Sequence, residues 1–424
     1  MTIKQNLVQM IVFYRMYRQW KKLAIQTQAS AYKTPAKPCL VIVPCDPWSV
    51  GGSRGDEAMI TGVIHQYRRR YPNIPIHMVC ADENGANYIK KVLELEVTPI
   101  VSWNGPYPIE RIYDSILKAR PTDVVILGAD CMDGFYSPAL SLSLLALHDL
   151  CTKTVGIKSR LLGFSFNENP NWMIIRAFKS LSSEVRIHLR DTVSLSRYEQ
   201  KVGRYATLVA DAAFMLEAQK EFSLYDTIRA WVEQRRAEHF TVIGVNFHPM
   251  LRAYCDTKDT ILDARLLAKN IEKILLKHQN ICFVFIPHDD RSGLTDNLML
   301  SVMYDYLDTY RQRIFYSPDV PRAPQLKALC GLLDGLISSR MHLAIAAYGM
   351  QTPVMAVTYQ GKFEGLFRHF GLNETFLLSP QKFLSDDMLV TFDLFLESLP
   401  ALKKQIAANL SHVCELSNNN LKDE

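Results

Sequence analysis

The sequence predicts an α/β protein of two doubly wound, Rossmann-like domains that face each other across a cleft. Short apolar runs alternate with amphipathic helical segments from about residue 39 to residue 379. Such alternation with short turns is typical of parallel sheets covered by helices on both faces. The pattern is interrupted at a strongly charged helical segment, residues 217–238, and 424 residues exceed what one core usually holds. We therefore place a domain joint at that segment.

The domain boundaries follow from the same pattern. We expect a basic amphipathic helix at residues 1–37, an N-terminal domain at 38–216, a linker helix at 217–238, a C-terminal domain at 239–385 and a helical tail at 386–424. Strands are predicted at 39–45, 76–80, 99–102, 123–127, 159–164, 185–189 and 207–210, and then at 240–247, 281–287, 313–316, 335–338, 354–357 and 376–379. Helices are predicted at 56–70, 109–118, 140–150, 171–180 and 193–201, and then at 260–276, 294–310, 323–330, 341–348 and 362–370.

Composition narrows the functional classes. The net charge of +5 is too small to predict nucleic-acid binding. No apolar run reaches the roughly 18 residues of a membrane-spanning helix, and the N-terminus lacks the pattern of a signal peptide. The nine cysteines include no CxxC pair, which argues against a zinc ribbon or a disulfide framework. We expect a cytoplasmic location.

The N-terminal segment differs from the rest of the chain. Basic residues alternate with apolar and aromatic ones at roughly helical spacing, and no acidic residue precedes Asp46. Such a helix can lie on an anionic membrane surface, which would make residues 1–35 a peripheral contact with the inner membrane face. The alternative is a helix that packs on its own domain or on a partner subunit.

Residues 335–367 organise the C-terminal domain as strand, turn, helix, strand, turn and helix. Ser338 or Ser339 is a suitable N-cap, which would place Arg340 and His342 in the first helical turn. Unpaired N–H groups and the helix dipole make that end positive, so an arginine and a histidine there predict a site for a small anion. The alternative is a surface helix end with solvated side chains.

Polar residues that follow predicted strands are the other candidates, because ligands bind at the carboxyl ends of parallel strands. They are Arg54, Asp56, Glu57, Asp130, Arg190, His248, His288 and Asp289. The glycine-bearing loop before Asp56 matches neither GxGxxG nor a P-loop, and Asp56 can equally be a helix N-cap. A single histidine in such a position is more often structural than catalytic, but three of them, His248, His288 and His342, at predicted strand ends in one half favour a site. The histidine spacing fits no standard zinc motif, so we expect no metal and no cofactor.

Seven pieces of the sequence, taken together and in order, resemble the polysaccharide pyruvyl transferase family. They are GSRGDEA at 52–58, LGAD at 127–130, LRDTVS at 189–194 followed by ADAAF at 210–214, FIPHD at 285–289, SRMH at 339–342 and YQGKF at 359–363. The family often has three glycines where this chain has Gly128, Ala129 and Asp130. The resemblance implies a fold like that of the two-domain GT-B type glycosyltransferases, with the acceptor on the N-terminal domain and the donor on the C-terminal domain.

The resemblance also implies an activity: transfer of the enolpyruvyl group of phosphoenolpyruvate to a sugar of a polysaccharide or its lipid-linked precursor, forming a pyruvate ketal and releasing phosphate. The donor-binding residues would be Arg340, His342, Arg190 and Lys362, and the acceptor-binding residues Arg54, Asp56, Glu57 and Asp130. His342, or His288 positioned by Asp289, would protonate the methylene carbon. Asp56 or Glu57 would orient or deprotonate the sugar hydroxyl.

Two rival functions stay open at this point. A glycosyltransferase of the same architecture would use a nucleotide sugar, with Glu364 available to hold the ribose. A non-catalytic member would serve as a scaffold for polysaccharide assembly.

Overall fold

The computed structural model describes residues 3–27, 32–91, 96–105, 108–253, 259–291, 295–358 and 361–422. Its internal contacts divide the chain into two compact units. Unit 1 comprises Met1–Gly51, Met59–Met215 and Glu415–Glu424, and unit 2 comprises Gly52–Ala58 and Leu216–Cys414.

Unit 1 contains a parallel five-stranded sheet in the order β3-β2-β1-β4-β5, followed by the parallel pair β6-β7. The strands are β1 (Leu40–Val43), β2 (Ile76–Cys80), β3 (Thr98–Val101), β4 (Asp123–Ile126), β5 (Lys158–Leu161), β6 (His188–Leu189) and β7 (Thr207–Leu208). The helices are α1 (Ile3–Thr27), α2 (Arg54–Arg70), α3 (Glu83–Lys91), α4 (Ile109–Lys118), α5 (Pro138–Lys153), α6 (Trp172–Lys179) and α7 (Thr192–Val202). The first five residues of α2, 54–58, are grouped with unit 2.

Unit 2 contains a parallel six-stranded sheet in the order β10-β9-β8-β11-β12-β13. The strands are β8 (Thr241–Asn246), β9 (Ile281–Phe285), β10 (Ile314–Tyr316), β11 (Gly335–Ser338), β12 (Val354–Val357) and β13 (Leu377–Leu378). The helices are α8 (Ser223–Ala237), α9 (Thr260–Lys277), α10 (Asn297–Tyr306), α11 (Ala323–Cys330), α12 (Met341–Gly349), α13 (Phe363–His369), α14 (Pro380–Leu384) and α15 (Asp387–Asn418), the last of which continues into unit 1.

The predicted alternation of parallel strands with helices is confirmed in both units. In each sheet the strand order reverses beside the first strand, between β1 and β4 and between β8 and β11. Such a reversal leaves a crevice at the carboxyl ends of the two strands, where α/β proteins bind ligands. Two helices, α3 and α14, were not predicted. In α3, Asn84, Gly85 and Asn87 have low helix propensity, and burial of Ile89 supplies the stabilisation.

Helix α1 packs on unit 1 with its aromatic face. Phe13, Met16, Trp20 and Leu23 join the buried core, and Trp20 Nε1 donates a hydrogen bond of 2.8 Å to the buried carboxylate of Asp149. Of the alternatives stated above, packing on its own domain therefore accounts for these side chains. Within the described ranges, no helix has the length and apolar character needed to cross a membrane.

The segment Gly52–Ala58, which includes the start of α2, differs from expectation, because it is grouped with unit 2 although it follows β1 of unit 1. Ser53 forms an isolated antiparallel bridge with Asp289, and Arg54 forms an ion pair with Asp290. The predicted N-terminal domain, residues 38–216, included this segment because it lies between β1 and β2 along the chain. Backbone pairing and ion pairs between residues distant in sequence decide the grouping instead.

Candidate functional site

The candidate site lies in unit 2, at the carboxyl ends of β8, β9 and β11. Asn246 ends β8, and its Nδ2 donates to the carbonyl oxygen of Ile286 at 2.9 Å and to Oδ2 of Asp296 at 2.8 Å. The backbone N–H of Ser339 donates to the carbonyl oxygen of Asn246 at 3.2 Å. These bonds join three strand ends at the point where the strand order reverses, so a rigid backbone supports the site.

Helix α12 begins at Met341 with Arg340 as its N-cap, one residue later than a serine cap requires. Ser338 is the last residue of β11, and its Oγ accepts from the backbone N–H of Arg340 at 3.0 Å. The Oγ of Ser339 accepts from the backbone N–H of His248 at 3.0 Å. Both serines therefore fix the turn, and the first N–H groups of α12 stay at the positive end of the helix dipole beside Arg340 and His342.

Two buried carboxylates hold Arg340. Its NH1 lies 3.1 Å from Oδ2 of Asp289, and its Nε and NH2 lie 3.1 Å and 2.5 Å from Oδ1 of Asp296. Both carboxylates are fully buried, whereas 12% of the Arg340 side chain is exposed. Burial raises the pKa of Asp296, and the charge of Arg340 opposes that shift. Arg340 thus has a fixed orientation, and a ligand can reach only the exposed part of its guanidinium group.

The expectation that Asp289 positions His288 is wrong. The Asp289 carboxylate accepts from Nε of Arg291 at 3.0 Å and from NH2 of Arg291 at 2.6 Å, in addition to its ion pair with Arg340. His288 instead donates its backbone N–H to Oδ2 of Asp296 at 2.9 Å. A guanidinium fork binds a buried carboxylate better than a neutral imidazole does, which explains the exchange of partners.

Burial also decides the charge state of two histidines. The pKa of His248 and that of His288 are held well below the usual value by burial and by the nearby charge of Arg340. Both imidazoles are therefore neutral near pH 7 and are poor sources of a proton. His342, at the start of α12, is half-buried and is therefore more accessible to a ligand than these two histidines.

The first turn of α2 packs directly against His342. A Cβ atom on Gly55 would lie 2.6 Å from Cγ and 2.8 Å from Cε1 of His342, distances at which a larger residue cannot fit without movement. Helix α2 begins at Arg54, so Asp56, its third residue, lies in the first turn rather than at an N-cap. The structure therefore brings Asp56 into the same unit and the same neighbourhood as His342.

Arg54 and Glu57 are occupied by ion pairs within unit 2. Glu57 is fully buried, and its carboxylate accepts from NH1 of Arg54 at 3.2 Å and from Nε of Arg322. Arg54 also bonds Asp290 at 3.0 Å and the carbonyl oxygens that precede Arg322. Contact of either predicted acceptor-binding side chain with a sugar would require these ion pairs to open.

Lys362 is half-buried at the N-cap of α13, and its charge contributes to lowering the pKa of His248. Lys362 and Arg340 are therefore both cations in the surroundings of His248. Tyr359 and Gln360, which belong to the same sequence piece, lie outside the described residues.

Two predicted site residues, Arg190 and Asp130, belong to unit 1. Arg190 is buried, with Nε 2.7 Å from Oγ of Ser165 and NH1 2.8 Å from Oδ2 of Asp211, so donor binding would have to compete with these bonds. Asp130 is half-buried after β4 and accepts from the hydroxyl of Tyr136 at 3.1 Å. The residue before it, Ala129, has φ 46°, so this chain keeps with alanine a left-handed turn that glycine adopts more easily.

Sequence reasoning missed Asp296, Arg291 and Arg322. Asp296 is the N-cap of α10, but its carboxylate turns away from that helix and bonds Arg340 and Asn246. The signal that could have found it is an aspartate directly before an apolar helical run. Among the described residues, no group of three or more His, Cys, Asp or Glu side chains is placed to hold a metal ion.

Comparison with known proteins gives one family and many solved structures. The family model described as polysaccharide pyruvyl transferase matches residues 54–361. A UDP-N-acetylglucosamine 2-epimerase from Neisseria meningitidis, solved with UDP-GlcNAc, has a TM-score of 0.52 and 11% identity over 90% of this chain and 98% of its own. A putative UDP-N-acetylglucosamine 2-epimerase from Listeria monocytogenes has a TM-score of 0.56 and 10% identity over 91% and 95%.

A ugt transferase from Siraitia grosvenorii, solved with UDP, has a TM-score of 0.51 and 12% identity over 91% of this chain and 98% of its own. At these identities the solved structures show the fold alone, which is of GT-B type. No curated protein matches the chain.

Proposed function

The chain belongs to the polysaccharide pyruvyl transferase family, and from that premise we propose that it transfers the enolpyruvyl group of phosphoenolpyruvate to a sugar of a polysaccharide or its lipid-linked precursor. The product is a pyruvate ketal, and phosphate is released. The observation that carries the donor assignment is the group of cations in unit 2 around the start of α12: Arg340 at the N-cap, with Lys362 and Arg291 close to the buried His248.

Phosphoenolpyruvate carries a carboxylate and a phosphate, so it requires more than one positive group. The first backbone N–H groups of α12, together with the exposed part of the Arg340 side chain, provide one positive group. Lys362 provides a second, as a point charge on a flexible stem. The buried ion pairs to Asp289 and Asp296 hold the guanidinium in place before the donor binds, which reduces the entropy lost on binding.

The chemistry balances with these groups. A proton added to the methylene carbon forms one C–H bond and leaves an oxocarbenium-like C2, which the first sugar hydroxyl attacks. Cleavage of the C2–O bond to phosphate then regenerates an electrophilic carbon, and the second hydroxyl closes the ketal. Of the two hydroxyl protons, one replaces the proton given to the methylene carbon and the other leaves with phosphate.

His342 is the proposed acid, and Asp56 is proposed to orient or deprotonate the sugar hydroxyl. The two neutral histidines, His248 and His288, are less suited to delivering a proton, because their pKa values lie well below the usual range. Positioned acid–base groups of this kind typically contribute about 100- to 10,000-fold in rate. Replacing His342 with Asn should therefore lower kcat by at least about 100-fold.

The test combines binding and turnover. Phosphoenolpyruvate should raise the melting temperature of the protein, whereas UDP-sugars should not, and phosphate should be released only when a suitable acceptor is present. Lys362→Ala should raise the KM for phosphoenolpyruvate, while the matched control Arg265→Ala, on the exposed side of α9, should not change it.

Stabilisation by UDP-sugars but not by phosphoenolpyruvate would favour a nucleotide-sugar glycosyltransferase. Glu364, the residue available for the ribose, already accepts from the hydroxyl of Thr358 at 3.2 Å. Absence of phosphate release with every acceptor sugar would favour a non-catalytic scaffold.

Peripheral membrane contact through α1 is proposed for the face that does not pack on unit 1. That face exposes four apolar residues and three cations: Leu7, Val8, Ile11, Ile25, Arg15, Arg18 and Lys22. Apolar and basic side chains together suit the surface of an anionic membrane, where lipid-linked acceptors would be met. Reversing the three cations to Glu should abolish sedimentation with anionic phosphatidylglycerol vesicles, and the control pair Lys403→Glu and Lys404→Glu on α15 should not. Equal sedimentation of both variants would refute the contact.

A further inference from the structure

A second cavity lies in unit 1, at the carboxyl ends of β1, β2 and β3. Its volume is about 460 Å³, within the usual range for small-molecule sites. Trp48 follows β1, Asp82 follows β2, and Trp103 and Asn104 follow β3. Val12 and Met16 of α1 complete an apolar side. None of these side chains belongs to the site in unit 2.

Backbone hydrogen bonds hold the walls of this cavity together. The N–H of Ala81 donates to the carbonyl oxygen of Pro47 at 2.8 Å, and the N–H groups of Ser102 and Trp103 donate to that of Cys80 at 3.0 Å and 3.2 Å. Oδ1 of Asp46 accepts from the N–H of Trp48 at 3.1 Å, which fixes the loop that carries the indole. The cavity is therefore preorganised and need not be assembled by its ligand.

The lining suits a neutral polyol. Trp48 is 55% exposed, an unusual exposure for so large an apolar ring, whereas Trp103 is 3% exposed and forms part of the wall. Asp82 and Asn104 provide carboxylate and amide groups for hydroxyls. The described lining residues include no lysine, arginine or histidine, so no side-chain cation there would pair with a phosphate or with the carboxylate of the donor. A pyranose combines apolar C–H faces with a rim of hydroxyls and matches both kinds of surface.

We propose that this cavity is a saccharide subsite, which binds a sugar ring of the acceptor with one face on the indole of Trp48 and its hydroxyls toward Asp82 and Asn104. The assignment of the sugar as acceptor rests on the proposed function, but sugar binding itself does not. Trp48 is then a specificity residue for the acceptor and takes no part in the reaction.

The experiment uses the full chain without phosphoenolpyruvate. Isothermal titration calorimetry with the methyl glycosides of glucose, galactose, mannose and N-acetylglucosamine should detect at least one ligand. Trp48→Ala should weaken its binding by about tenfold, as is typical for removal of a central tryptophan, and Trp48→Phe should retain most of it. The matched control is Trp172→Ala, because Trp172 is 52% exposed in the same unit but does not line the cavity. The Asn104→Ala variant, measured separately, should also bind that glycoside more weakly.

Absence of binding by every glycoside, or equal binding by the wild-type protein and both the Trp48→Ala and Asn104→Ala variants, overturns the subsite. Phosphate release is measured separately. Sugar binding that depends on Trp48 without any release of phosphate would contradict the proposed function and leave the subsite standing. Release of phosphate with an acceptor KM unchanged by Trp48→Ala would contradict the subsite alone.

Discussion

The contact between Gly55 and His342 gives the sharpest prediction. Gly55→Ala would place a Cβ 2.6 Å from Cγ of His342, whereas carbon atoms in contact are usually about 3.5–4.0 Å apart. The imidazole must therefore move by about 1 Å. A misplacement of about 1 Å can cost about 100-fold in rate, which corresponds to about 2.7 kcal/mol. Gly55 has no positive φ and lies in the first turn of α2, so alanine should leave the fold intact.

The assay is a double-mutant cycle on kcat for phosphate release, with urea denaturation as the control for folding. Gly55→Ala should lower kcat by about 100-fold in the wild-type background and by little in a His342→Ala background, because the side chain that must move is then absent. An unchanged kcat for Gly55→Ala, or an equal loss in both backgrounds, would refute the reasoning that the imidazole position controls the reaction.

Three further predictions concern stability. Arg190→Ala should lower the free energy of unfolding by about 3–5 kcal/mol in urea, because it leaves the buried carboxylate of Asp211 unpaired; a loss below about 1 kcal/mol would contradict the pairing. Burial lowers the pKa of His188 from 6.5 to about 4. Between these pH values the imidazole is protonated in the unfolded chain but neutral in the folded chain, so the free energy of unfolding should fall as the pH drops from 6.5 to 4. His188→Gln should remove about 3 kcal/mol of that loss, measured as unfolding free energy against pH. Asp149→Ala should cost about 2–3 kcal/mol because Trp20 Nε1 loses its buried acceptor, and a matching loss of near-ultraviolet circular dichroism would report the loosening of α1.

The secondary structure and its order were predictable from the sequence alone. The predicted bounds of β11, β12, α4 and α11 agree with the structure, since local apolar periodicity specifies such elements. The parallel arrangement and the importance of strand ends follow from the same alternation, and seven short pieces of sequence were enough to indicate the family.

Pairing between residues distant in sequence was decided by the tertiary structure. Arg340 is bound by both Asp289 and Asp296, and Asp289 also binds Arg291 instead of orienting His288. The choice depends on which carboxylates the fold buries beside a guanidinium group, and burial strengthens such pairs in a way that no local pattern records.

The tertiary structure also decided which unit or surface whole segments pack against. Gly52–Ala58 follows a strand of unit 1 yet makes its contacts in unit 2, and the aromatic face of α1 is buried although its spacing equally fits a membrane surface. An amphipathic pattern shows that a face must be covered, but the covering surface is set by the shape of the finished fold.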